Sequence, residues 1–205
     1  MLTSRRFAPA LVSAALVGVA MLSAGCSGSG SSGTDNAASR AGCDPAAQVT
    51  CAGAAAPVYS LADVQPKSAR FGESYGLEAF RGQVLVVALL AGWCPFCQSQ
   101  AERLEALRLE LEGQGQKVAF VTLHAADAEP YQAFITERCS FPMLQDTTAA
   151  SAWAAHGGEK DDMFVYDAEG KLRAYLSASA LGSRIALTGD GAGLLKQAIA
   201  DASKP

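Results

Sequence analysis

Two cysteines, Cys94 and Cys97, lie three apart in Trp93-Cys94-Pro95-Phe96-Cys97, after the apolar run 84–90 and before a stretch rich in Ala, Leu, Glu and Arg. At the start of a helix, residues at that spacing share one face, one turn apart. The free amide donors and the helix dipole there favour thiolate over thiol and depress such cysteines to about pKa 3.5–7.5. A thiolate that attacks a disulfide gives a mixed disulfide, which the second thiol resolves. One that attacks a hydroperoxide gives a sulfenic acid, which the second thiol condenses into the same bridge. Cys94, nearer the helix end, is the candidate nucleophile, and Cys97 the resolving thiol. Pro95 suits the first helical turn, where its missing N–H costs nothing. The same spacing occurs in half a zinc knuckle or a structural bridge. No second Cys-x-x-Cys and no Cys/His pair at zinc spacing follows, so no metal or other cofactor is expected.

Several elements must hold this pair. The run 84–90, with its valines, suits a strand buried on both faces. Residues 98–112 repeat Leu at 104, 107 and 111 with charges between, a helical period that Gly113 and Gly115 stop. A second buried strand spans 118–123, which makes a parallel, right-handed βαβ unit. Helices are expected over 130–138 and 147–156. The run 163–166 forms a hairpin with 171–176 through Asp167-Ala168-Glu169-Gly170, and a helix over 193–202 closes the chain. This α/β order, βαβ then helix then ββα, is the plan of a thioredoxin-like fold with a central mixed sheet flanked by helices. Cys94 falls just past the C-terminal end of a central strand, where open α/β sheets form their sites.

The remaining chain bears on location. A net charge of −4 gives no electrostatic reason to expect nucleic acid. Arg5 and Arg6, an apolar run over 7–21 and Leu22-Ser23-Ala24-Gly25-Cys26 have the layout of an export signal over 1–25. Ending at Gly-Cys, this segment resembles a bacterial lipoprotein signal, which implies a lipid on Cys26 and a membrane as partner. An ordinary cleaved signal, with the protein secreted, is the other reading. Ser27 after the lipid cysteine leans toward the outer membrane of a two-membraned cell. Residues 26–57, rich in Gly, Ser and Ala, read as a flexible tether, and about 30 such residues span ~30 Å root-mean-square. Disulfides persist outside the cytosol, so Cys43 and Cys51 are expected to close a small loop there. The globular domain is expected over 58–205.

From about residue 82 to 202 the chain resembles the N-terminal domain of the selenoprotein P family. The resemblance rests on Val86-Val87-Ala88-Leu89-Leu90 before the motif and Gln100-Ala101-Glu102-Arg103-Leu104-Glu105-Ala106-Leu107-Arg108 after it. It continues through His124, Phe141-Pro142 and Lys160-Asp161-Asp162-Met163-Phe164-Val165-Tyr166-Asp167 with Gly170. That family has selenocysteine where this chain has Cys94; Cys97 matches its second redox position. The resemblance implies a thiol redox role but no selenium transport, because the family's histidine-rich segments and selenocysteine-rich tail have no counterpart. Thioredoxins carry a proline in the loop that faces the motif and a buried acid in the strand before it. Here 158–162 has no proline, and Ala88 replaces the acid.

Supporting roles follow from position. Asp161 or Asp162 is expected near Cys94 as proton acceptor or polar contact, against a solvent-facing loop. His124 is read as a proton-transfer aid, as a copper ligand with Cys94 and Cys97, or as a group satisfying a local hydrogen bond. His156 reads as a cation at a helix C-terminus. Cys139 is a further resolving thiol or a buried free cysteine; Trp93 is placed beside the site and Trp153 in the core. The expected partners are a hydroperoxide or disulfide substrate and an extracytoplasmic thiol reductant. A metal- or selenium-binding module using the same thiols is the reading from another class.

Overall fold

All seven side chains of the run Val84–Leu90 are buried, so this strand is covered on both faces. It is strand β3 of the computed structural model, which describes residues 43–204. The expected signal segment 1–25, Cys26 and the expected tether as far as residue 42 lie outside the described residues. Strands β1 (Leu61–Ala62) and β2 (Ser74–Tyr75) precede it as a small antiparallel pair that the sequence pattern did not announce.

Helix α1 (Pro95–Gly113) and strand β4 (Val118–His124) complete the expected βαβ unit, and β3 and β4 are parallel. Strand β5 (Met143–Gln145) pairs parallel with β4. Strands β6 (Met163–Tyr166) and β7 (Leu172–Leu176) form the expected antiparallel hairpin, with β6 beside β3. The sheet order is β5-β4-β3-β6-β7. Alternate residues of β3 feed two cores. Val86, Ala88 and Leu90 meet Leu104, Leu107 and Leu111 of α1 and Leu195 and Ile199 of the last helix. Leu85, Val87 and Leu89 meet Leu61, Tyr75, Leu144 and Phe164 on the other face. Each such leucine contributes roughly 1.5–3 kcal/mol by leaving water.

Two expected helices are shorter than the pattern implied. Over 130–138, a 3-10 stretch, Ala126–Tyr131, contains Pro130, and α2 covers only Gln132–Thr136. The Lys67 ammonium ends α2 by bonding the carbonyls of Thr136, Glu137 and Cys139. Over 147–156, α3 begins only at Ala152 and ends at His156. Asp146 explains the late start: its carboxylate accepts the amides of Ala152 and Trp153 at 2.9 and 3.0 Å, which defines the first turn there. A short helix, α4 (Ala178–Leu181), follows β7, and the closing helix α5 runs Asp190–Ala202.

Residues 43–57, expected within the tether, instead dock on the sheet. Cys43 and Cys51 are bridged, and the Cys51 side chain is buried. Beyond the bridge, Gly53 donates to the Leu172 carbonyl, Leu172 to Ala54 and Ala56 to Gly170. This arm covers the otherwise open edge of β7.

Candidate active site

The chain turns from the end of β3 into α1 through Ala91-Gly92-Trp93. Gly92 must lack a side chain, since a Cβ there would collide with the Tyr131 carbonyl and press on His124 Nε2. His124 holds this turn and not the thiols. Its Nε2 accepts the Gly92 N–H at 3.0 Å, so the ring proton sits on Nδ1 and is donated to Gln145 Oε1 at 2.8 Å. Burial lowers its pKa by disfavouring the imidazolium. Of the three roles expected for His124, the local hydrogen bond is the one the geometry supports.

Cys94 takes the N-cap position of α1, Pro95 is the first helical residue, and Cys97 lies inside the first turn. Cys94 is 8% exposed and Cys97 fully buried. The two thiols meet unequal surroundings. Burial pushes Cys94 up, but the Cys97 amide and thiol and the Lys160 ammonium outweigh it and leave Cys94 below the ordinary thiol range. Burial likewise pushes Cys97 up. A backbone bond at Ala91 offsets this in part, and the neighbouring Asp161 carboxylate raises it further, so Cys97 stays a thiol.

Asp161 is the acid that lies near Cys94, as expected, but its hydrogen bond is to Cys97. Asp161 Oδ1 accepts the Cys97 S–H at 2.8 Å. Asp161 has a left-handed backbone, φ +73°, which is tolerated by Asp and fixed here by its amide bond to the Leu89 carbonyl. Asp162 turns away: it accepts the amides of Glu159 and Ala178 and the Tyr175 hydroxyl, and so knits the loop to α4 and β7.

Lys160 is the residue that sequence reasoning missed. Its ammonium lies 3.5 Å from Cys94 Sγ and pairs with the second oxygen of Asp161. Burial lowers its pKa, but the Asp161 bond and the two thiols prevail and raise it to about 12, so it is a cation at any working pH. It stands inside the block Lys160-Asp161-Asp162, where attention to the acids passed over it.

Cys94, Cys97 and Asp161 place their donor atoms within 4.8 Å of one another, the donor set of a soft divalent ion. The Lys160 ammonium contacts two of the three and opposes a cation, so the arrangement does not favour the metal-module reading. His124 is not in this group.

Trp93 is 44% exposed and, with Phe96, Tyr131 and Phe134, leaves an aromatic surface on the elements bordering the motif. Trp153 is half-buried against both cores and donates to the Leu123 carbonyl. Cys139 lies under α2, donates to the Ile135 carbonyl, and is pushed up to about 12 mainly by burial. His156 is not a cation. It is fully buried between the hydroxyls of Tyr59 and Tyr166, and burial lowers it to about 3. An open cavity of about 580 Å³ lies at the far end of the sheet, lined by Gly82, Lys117, Ala168 and Lys204 among others, away from both thiols.

The profile of the family described as selenoprotein P, N terminal region, matches residues 57–180, more than half of the chain. The chain belongs to this family. It is 33% identical over 126 residues to selenoprotein Pa of Danio rerio, covering 59% of this chain and 32% of the relative. Selenoprotein P of Rattus norvegicus is 33% identical over 97 residues, or 44% of this chain and 25% of the relative. The match thus spans about a third or less of these relatives' length. Among solved structures, MTB DsbF superposes with a TM-score of 0.54 at 21% identity, over 71% of this chain and 95% of its own. A Chlorobium tepidum protein assigned to the DsbE thiol:disulfide interchange proteins gives 0.55 at 19%, over 72% and 97%. These neighbours establish the thioredoxin-like fold.

Proposed function

We propose that this family member is an exported, membrane-tethered thiol redox protein that reduces hydroperoxides through Cys94 and Cys97. One observation carries the reading: the two thiols of the motif are driven apart, Cys94 toward thiolate and Cys97 toward thiol with a carboxylate at 2.8 Å. Cys94 attacks the peroxide oxygen and becomes a sulfenic acid. Asp161 then takes the Cys97 proton as Cys97 displaces water from that sulfenic acid, and an extracytoplasmic thiol reductant reopens the bridge. Cys94 is only 8% exposed, an opening that suits a slender peroxide head better than a bulky group. A lipid on Cys26 would hold the domain near a membrane.

Protein disulfide exchange is the second reading. The exposed aromatics Trp93, Phe96, Tyr131 and Phe134 favour it by offering apolar surface that a protein substrate would cover. The DsbE- and DsbF-type neighbours share the scaffold.

Stopped-flow mixing of the reduced protein with hydrogen peroxide or with an aromatic disulfide, followed by tryptophan fluorescence, separates the two. Rapid oxidation by peroxide that is lost in Cys94→Ser supports the first reading. Oxidation by the disulfide alone assigns the second.

A further inference from the structure

We propose that Lys160 is a further catalytic residue, one that gives a proton to the oxygen that leaves when Cys94 cleaves a hydroperoxide. The inference rests on the hydroperoxide reading and names what that chemistry requires. The difficulty in cleaving a peroxide lies in the leaving group. Hydroxide is the conjugate base of water, pKa about 15.7, whereas a thiolate leaving a disulfide is the conjugate base of an acid of about 8.5. A thiolate departs unaided; a bare hydroxide or alkoxide does not.

Lys160 is placed to supply the missing proton. Its Nζ is 3.5 Å from the attacking sulfur, the distance at which the atoms of a bound peroxide would also lie within reach. An ammonium has three N–H donors. Cys94 and Asp161 engage two of them, and no third acceptor contacts Lys160 Nζ among the described residues. The side chain is 36% exposed, so the cation borders the solvent side of a pair that is otherwise buried. Among the described residues it is the one cation that acts on the Cys94 thiol; the other groups facing that sulfur are Cys97 and Asp161. Asp161 cannot serve, because its carboxylate is committed as acceptor to both Lys160 and Cys97.

The step balances. The Cys94 sulfur donates an electron pair to the terminal peroxide oxygen, the O–O bond breaks, and the negative charge passes from sulfur to the leaving oxygen. The ammonium proton follows that charge, giving Cys94 sulfenic acid, an alcohol or water, and a neutral Lys160 amine. Sulfur is oxidised and the peroxide reduced. Cys97 then attacks the sulfenic sulfur. Its proton passes through Asp161 to the departing hydroxyl to form water, and the amine regains its proton from solvent.

Lys160 also lowers the Cys94 pKa, so the test must hold the thiolate population constant. Ultraviolet absorbance of the thiolate gives the Cys94 titration of wild type and of Lys160→Gln, and rates are compared on each protein's own plateau above that titration. The probes are hydrogen peroxide and peroxyacetic acid, whose leaving carboxylate needs no proton. The account expects Lys160→Gln to lose about 10²-fold with hydrogen peroxide, the usual contribution of a general acid, and to react with peroxyacetic acid at close to the wild-type rate. Equal losses with both probes would overturn the acid role and leave Lys160 a residue that only positions or charges the thiolate. A wild-type protein inert to both peroxides yet oxidised by an aromatic disulfide would instead defeat the hydroperoxide reading beneath it.

Discussion

Two buried polar clusters hang from one short stretch of chain, residues 156–162; one is held neutral and the other is shifted toward its charged form. At one end, His156 bonds two tyrosine hydroxyls, has no charged partner, and is held neutral by burial down to about pH 3. At the other, Cys94 is also buried, yet its pKa is lowered, toward the thiolate, because the Cys97 amide and thiol and the Lys160 ammonium stand against burial. Burial alone removes charge; burial with a fixed counter-charge places it on one chosen atom. The loop between the clusters, through Gly157 and Gly158, joins a region built for stability to one built for reaction.

Replacing Cys94 by Ser should break this contrast most completely, abolishing single-turnover oxidation while the fold, read by circular dichroism, persists. Asp161→Asn should come next. The Cys97 titration should fall, because the carboxylate that raises it is gone, yet closure of the bridge should slow by about 10²-fold for want of a proton acceptor. Mass spectrometry of the quenched reaction should then find Cys94 sulfenic acid accumulating. Faster closure would show that the carboxylate acts only through the pKa. In Lys160→Gln the Cys94 titration should move up toward the ordinary thiol range, visible as a shifted thiolate absorbance curve.

The other cluster gives the smallest and most selective effect. An ordinary imidazole titrates near 6.5 and His156 near 3. Between those values the unfolded chain binds a proton that the fold refuses. The stability at stake is fully present above about pH 6.5 and drains as pH falls toward 3, by at most about 1.4 kcal/mol per pH unit. His156→Gln should flatten that slope in thermal melts at a cost of about 1–3 kcal/mol, and leave the Cys94 titration where it was.

Much of this was legible in the chain. Apolar continuity fixed β3 and β4, the leucine period fixed α1, and the turn at Gly170 fixed the β6–β7 hairpin, because each is a long, regular signal. Short elements were not. The helices over 130–138 and 147–156 shrank where Pro130 and the Asp146 cap overrode composition, and the docked arm 43–57 gave no periodic signal because it is held by a few backbone bonds, a disulfide and the isolated buried side chains of Cys51 and Ala54. Cys94 and Cys97 could be assigned from spacing. Their partners could not: which of Asp161 and Asp162 faces the thiols depends on one left-handed residue, and Lys160 matters through a contact 66 residues away in sequence. His156 looked like a helix-end cation because nothing local reveals that Tyr59 and Tyr166 close over it.

The central claim is that one thiol of the pair is activated and the other withheld. It is tested most directly by alkylating the reduced protein across a range of pH and reading Cys94, Cys97 and Cys139 separately by peptide mass spectrometry. The account predicts that Cys94 reacts alone, with a midpoint below the ordinary thiol value of about 8.5, while Cys97 and Cys139 remain unmodified. Cys97 reacting first, or both thiols of the motif reacting with one midpoint, would contradict it.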